Sequence, residues 1–143
     1  MKKTLLATVT AFATALSAPA FAQDAAGPLT LELNTVTELD GGACRLVYVV
    51  SNETVEDLTA STYEVAVFNG RGAVSNMLLM EFGAIEAGKT RVVQFDVAGQ
   101  ACADISRILV NNQVDCATAS GDSTMCMDAL ATRTLDTTIA FTN

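Results

Sequence analysis

The feature that most constrains this chain is a period of two in its apolar residues, carried through a succession of short runs that turn residues interrupt. Leu29, Leu31 and Leu33 alternate with Thr30, Glu32 and Asn34, the spacing of a strand with one face buried and the other wet. After the turn Asp40-Gly41-Gly42, the run from Cys44 to Val50 is β-branched and almost continuously apolar, which suits the interior of a sheet. Tyr63, Val65 and Val67 alternate again over residues 62–68. Asn69-Gly70 behind them is the pair that a type I′ hairpin turn selects, because both central residues of that turn take positive φ. A partner strand is therefore predicted from Ala73 to Phe82, and a fifth strand over 90–97 with Val93, Phe95 and Val97 on one face.

Residues 105–110 predict a sixth strand. The polar stretch 112–128 predicts a loop with a short helix near 122–130, and Leu135, Thr137, Ile139 and Phe141 form one face of a final strand. The first five strands form a meander-like series. Together the runs predict an all-β fold, an antiparallel immunoglobulin-like β-sandwich of about seven strands. Its expected core is Leu46, Tyr48, Val65, Val67, Val93, Phe95 and Leu109. An outer-membrane barrel would also alternate, but it needs aromatic girdles. Beyond residue 22 the chain has no Trp, two Tyr and four Phe.

Ahead of these runs, Lys2 and Lys3 precede an apolar stretch from Leu5 to Leu16, and Ala20-Phe21-Ala22 supplies small residues in an A-x-A pattern. Residues 1–22 are therefore expected to be a signal peptide, 23–28 a flexible leader, and 29–143 a single domain. The apolar stretch is too short to cross a bilayer core of about 30 Å. With no cysteine at the cleavage point to carry a lipid, export predicts a periplasmic or secreted protein without membrane insertion. Removing Lys2 and Lys3 leaves six basic against 16 acidic residues, a net charge of −10. Such a surface repels phosphate backbones and excludes nucleic acid as a partner.

The chain has four cysteines, Cys44, Cys102, Cys116 and Cys126, and in an exported chain of this size an even number reads as disulfides. Three pairings are possible. Cys102 and Cys116 lie beyond opposite ends of the predicted strand 105–110, roughly 20 Å apart at about 3.3 Å per residue, too far for one bond. Cys116 can reach Cys126 through a short loop containing Gly121. The pairing expected is thus Cys44 with Cys102 and Cys116 with Cys126.

Several motifs invite chemistry. Gly83 to Thr90 spells G-x-x-x-x-G-K-T, but a phosphate loop must open a helix. The alternating residues after it predict a strand, so the segment is expected to be a turn. Met125, Cys126 and Met127, with Met77 and Met80, are soft ligands of the kind that suit cuprous copper, yet no histidine completes a set. The same lack removes Ser-His and Cys-His catalysis. A Ser-Lys dyad could use only Lys89 in an exposed turn, and paired carboxylates would have to come from Glu64, Glu81 and Asp96 on different strands. Asn52-Glu53-Thr54 fits a glycosylation sequon and is expected to be a plain turn. No catalytic, cofactor-binding or metal-binding residue is assigned.

Three segments within 46–95 carry a resemblance: Val49-Val50-Ser51-Asn52, Tyr63 through Gly72, and Ile85 through Thr90. They resemble small exported bacterial immunoglobulin-like domains of the FxLYD type, and a group of periplasmic proteins with the same cysteine placement. The resemblance implies the sandwich fold and transfers no catalytic residue. The function expected is a non-enzymatic periplasmic binding or structural module that recognises an envelope protein or a surface polymer. A periplasmic copper-binding protein or a small hydrolase is the alternative.

Overall fold

The computed structural model describes residues 26–135 and 138–143. The expected signal peptide 1–22, residues 23–25 of the expected leader and Thr137 lie outside the described residues. Among the described residues nine strands form, in the order β1 (Leu29–Leu39), β2 (Ala43–Asn52), β3 (Leu58–Asn69), β4 (Val74–Glu81), β5 (Thr90–Val97), β6 (Ile105–Thr118), β7 (Gly121–Asp122), β8 (Leu130–Thr134) and β9 (Ala140–Thr142). A 3-10 turn, Cys102–Asp104, precedes β6, and one helical turn, α1 (Met125–Asp128), precedes β8.

The strands divide into two sheets, one ordered β5-β2-β1-β8 and the other β4-β3-β6-β7, with β9 also paired to β6. The fold is a β-sandwich. β2 lies in the interior of its sheet, as its continuous apolar run required. The series is not a meander, however: β3 and β4 leave the first sheet for the second, and β5 returns to pair with β2. With both faces of a hairpin unable to be buried in one layer, alternate hairpins on opposite layers close the core.

The core lies between the two inner faces. Leu31, Leu33, Leu46, Tyr48 and Val50 meet Tyr63, Val65, Val67, Ile108 and Val110, all buried, and full burial of each such side chain contributes about 1.5–3 kcal/mol. The Tyr48 ring stands edge-on to Phe82, Phe95 and Phe141 at 5.5, 6.0 and 5.2 Å between centroids. Val93 and Phe95 pack at the margin of this core. Leu109 does not belong to it: Ile108 and Val110 are the buried residues of that stretch, and Leu109, opposite Ala66, lies on the outer side.

Three local expectations are corrected. Asn69-Gly70 does begin a hairpin, but the residue with positive φ is Gly72 (78°). Gly72 N–H donates to Asn69 O at 2.9 Å, and the Asn69 Oδ1 accepts from the backbone of Arg71 and Ala73. The loop is thus a three-residue connection whose left-handed residue is its last. Second, β6 runs on to Thr118, so Cys116 sits in a strand and not in the loop. Polar side chains there face solvent on a strand whose backbone β3 and β7 satisfy. Third, the final strand is split. β8 runs parallel to β1 and β9 parallel to β6, in different sheets, and Leu135 between them is exposed.

Both disulfides form as the spacing predicted, Cys44–Cys102 with Cα atoms 4.8 Å apart and Cys116–Cys126 with 5.9 Å. The former ties the start of β2 to the turn that leads from β5 into β6. The latter holds α1 against β6, where the Tyr63 hydroxyl also donates to Cys126 O at 2.9 Å.

Candidate functional site

Each chemical motif of the sequence has a structural occupation. The G-x-x-x-x-G-K-T segment connects β4 to β5, and no helix follows it. Five of its amides are committed: Gly83 N donates to Ser61 O, Ile85 N to Leu58 O, Ala87 N to Asp57 Oδ1, Gly88 N to Asn52 O and Lys89 N to Glu86 O. A phosphate would find no run of consecutive free N–H groups there to cradle it.

The sequon asparagine is wholly buried and spent on the same loop. Asn52 Nδ2 donates to Glu56 O and Ile85 O, both at 2.9 Å, and its Oδ1 accepts from the Thr54 backbone and hydroxyl. Both donors and both lone pairs are used. In the folded protein this side chain is a clamp between two turns, inaccessible to a modifying enzyme.

The soft-ligand residues do not gather. Cys126 is bonded to Cys116, Met80 is buried between the sheets, and Met77 is exposed on the opposite face of the same strand. Among the described residues no three of His, Cys, Asp and Glu form a metal-ligand group. The candidate acids are likewise separated. Asp96 lies in the first sheet, where its carboxylate accepts two bonds from Arg45 at 2.7 and 2.8 Å and is held below the usual carboxylate range by them. Glu64 and Glu81 lie in the second sheet, with Glu64 accepting from Asn111 Nδ2 at 2.6 Å.

What the sequence did not disclose is a cleft at one end of the sandwich. The β3–β4 hairpin and the loop from β5 to the 3-10 turn come together there around a space of about 500 Å³. Gln100 spans its wall: Oε1 is 3.0 Å from the Ser75 hydroxyl, and Nε2 donates to Asp104 O at 3.4 Å. Arg71, Asn76 and Asp104 also line it, and none of these three side chains has a hydrogen-bond or ion-pair partner among the described residues. A guanidinium fork, an amide and a carboxylate thus open on one polar hollow and are available to a ligand. The signal in the sequence was faint, since Arg71 and Asp104 are 33 positions apart and each reads as an ordinary turn residue.

Beside the cleft lies the outer face of the second sheet. Val74, Met77 and Leu79 of β4 are 53, 47 and 66% exposed, next to Phe68, over whose ring the Arg107 guanidinium sits at 3.8 Å. No described helix is long and apolar enough to cross a membrane. No family model, no curated protein and no solved structure matches this chain.

Proposed function

We propose that the protein is a non-enzymatic binding module of the bacterial envelope, exported to the periplasm, whose end cleft recognises a polar segment of another envelope protein. The observation that carries the reading is the convergence of Arg71, Asn76 and Asp104 on one open cleft with their polar groups uncommitted. Arg71 suits a carboxylate and Asp104 an ammonium or guanidinium, while Asn76 can both donate to and accept from a peptide group. A protein segment offers all three. A neutral polymer of sugars would lack the ions, and among the described residues the cleft has no aromatic face for a ring to stack on.

Export is supported by the signal-like residues 1–22 and by two disulfides, which persist in oxidising compartments. The non-enzymatic reading is supported by a chain without histidine and by the scatter of its carboxylates over two sheets. The likeness of 46–95 to FxLYD-type domains belongs to the same proposal.

Affinity isolation from periplasmic extract tests it. The expected result is one stoichiometric protein partner whose affinity falls about tenfold in both Arg71→Ala and Asp104→Ala, the loss of roughly 1.4 kcal/mol each. Equal recovery by the variants, or bound copper in place of a protein, would overturn it.

A further inference from the structure

A β-sandwich has open sheet edges, and each is a row of unpaired N–H and C=O groups that another strand can join unless something blunts it. Three of the edges here are blunted. β5 carries Arg91 and Asp96, β8 has five residues including Arg133, and the strands against the far side of β6 have two and three residues. β4 is the exception. It has eight residues, pairs among the described residues only with β3, and contains no charge and no proline before Glu81. Three of the seven exposed large hydrophobics among the described residues stand on it.

We infer that β4 is the interface for a second copy of this chain, the two β4 strands pairing antiparallel about a two-fold axis at Leu78. Among neighbouring registers this is the one that sets the two exposed apolar residues, Met77 and Leu79, against each other. A strand-to-strand two-fold keeps outer residues opposite outer residues, so the sum of paired positions must be even. With Leu78 on the axis, Met77 of one copy faces Leu79 of the other on the outer side. On the inner side Leu78 faces its own copy and Asn76 faces Met80, and on the outer side Ser75 faces Glu81 at the margin. Moving the axis to Leu79 sets Met77 against the Glu81 carboxylate. Moving it to Met77 sets Leu79 against Ser75, leaving the apolar pair unmatched. The bulge at Ser75, between the pairs Val67 with Asn76 and Phe68 with Val74, ends the regular pairing at Asn76. The flush stretch is therefore Asn76 to Met80.

The result is one continuous sheet through both copies, with Met77 and Leu79 of each forming an apolar cluster that neither copy has alone. The partner is the same chain because one uncharged stretch, Asn76 to Met80, satisfies both sides, whereas the rest of this acidic surface would repel a copy docked elsewhere. Long-range repulsion between two acidic chains, each of net charge −8 at full length and −10 once Lys2 and Lys3 are removed with residues 1–22, opposes the approach, so salt that screens it strengthens the dimer.

Sedimentation equilibrium on protein exported from a bacterial host decides the matter. A monomer–dimer equilibrium is expected, tightened by raised salt and weakened at least tenfold by Met77→Lys and by Leu79→Lys. Both positions are exposed, so folding is retained and is checked by far-UV circular dichroism. Val92→Lys on the other sheet's edge should leave the dimer unchanged. A monomer at every concentration, a dimer indifferent to both β4 variants, a dimer broken by Val92→Lys, or β4 occupied by a strand of a different protein would each overturn the inference. The cleft variants Arg71→Ala and Asp104→Ala leave this equilibrium in place, so the two proposals fail independently.

Discussion

Replacing Tyr48 by Phe should raise the stability of this protein, against the usual direction for a change at the centre of a core. The Tyr48 side chain is fully buried, and its hydroxyl oxygen has no hydrogen-bond partner among the described residues. An unsatisfied buried hydroxyl costs about 1–3 kcal/mol. Its removal leaves a void the size of one oxygen, on the order of 10 Å³, and at about 24 cal/mol per Å³ that returns only a few tenths. The ring, which is what Phe82, Phe95 and Phe141 contact edge-on, is unchanged. The net expectation is a gain of about 1–2 kcal/mol, or roughly 4–8 °C in Tm at about 4 °C per kcal/mol for a domain of this size. Tyr63→Phe is the matched control. There the hydroxyl donates to Cys126 O at 2.9 Å, and losing it strands a buried carbonyl, so the same chemical change should destabilise by about 1–3 kcal/mol. Urea unfolding of the three proteins, with thermal melts alongside, measures both shifts. A lower midpoint for Tyr48→Phe would show that the oxygen has a partner in solution and would refute the argument.

The same two phenols make an alkaline prediction, since burial pushes both above their usual value. The folded state then keeps protons that the unfolded state gives up above about pH 10, so stability is intact below that pH and falls as pH rises beyond it. Because the chain has no Trp and only these two Tyr, tyrosinate absorbance should appear in one step with unfolding; gradual titration of a folded protein would contradict it. Replacing Cys44 and Cys102 by Ser should cost about 4 kcal/mol and replacing Cys116 and Cys126 about 3 kcal/mol, from loops closed over 58 and 10 positions. Guanidinium unfolding checks the order, and a larger loss at the short loop would show that native packing outweighs chain entropy. Asn52→Asp should destabilise by about 3 kcal/mol or more, because a carboxylate cannot donate to Glu56 O and Ile85 O; a variant as stable as the parent would mean that those bonds contribute little.

The architecture was legible where the period of two is strict. Leu46 and Tyr48, and likewise Val65 and Val67, are buried where their alternation placed them, and the disulfide pairing followed from the length of a strand. Leu109 turns outward, against its expected place in the core, because β6 is irregular against β3, with register shifts on both sides of that stretch, and a shifted strand changes which side chains point inward. The extension of β6 to Thr118 was hidden by its polar residues, which a strand facing water tolerates as readily as a loop does. Asn52 could be read as a turn residue, but its role as a clamp could not. The loop 82–89 that it holds is distant in sequence and reaches it only in the closed fold. The cleft was invisible for the same reason, being made by two loops that the return of β5 to the first sheet brings together.

The bond between Cys44 and Cys102 also fixes how this protein would answer a pulling force. Tension applied between β1 and β9 enters at Cys44 and leaves at Cys102 without passing along β2 to β5, because the crosslink carries it past the 58 positions between them. Those residues would otherwise pay out about 200 Å of chain at roughly 3.4 Å each. With the bond intact that slack stays locked, and the domain stretched between β1 and β9 would yield a short, stiff tether in place of a long one.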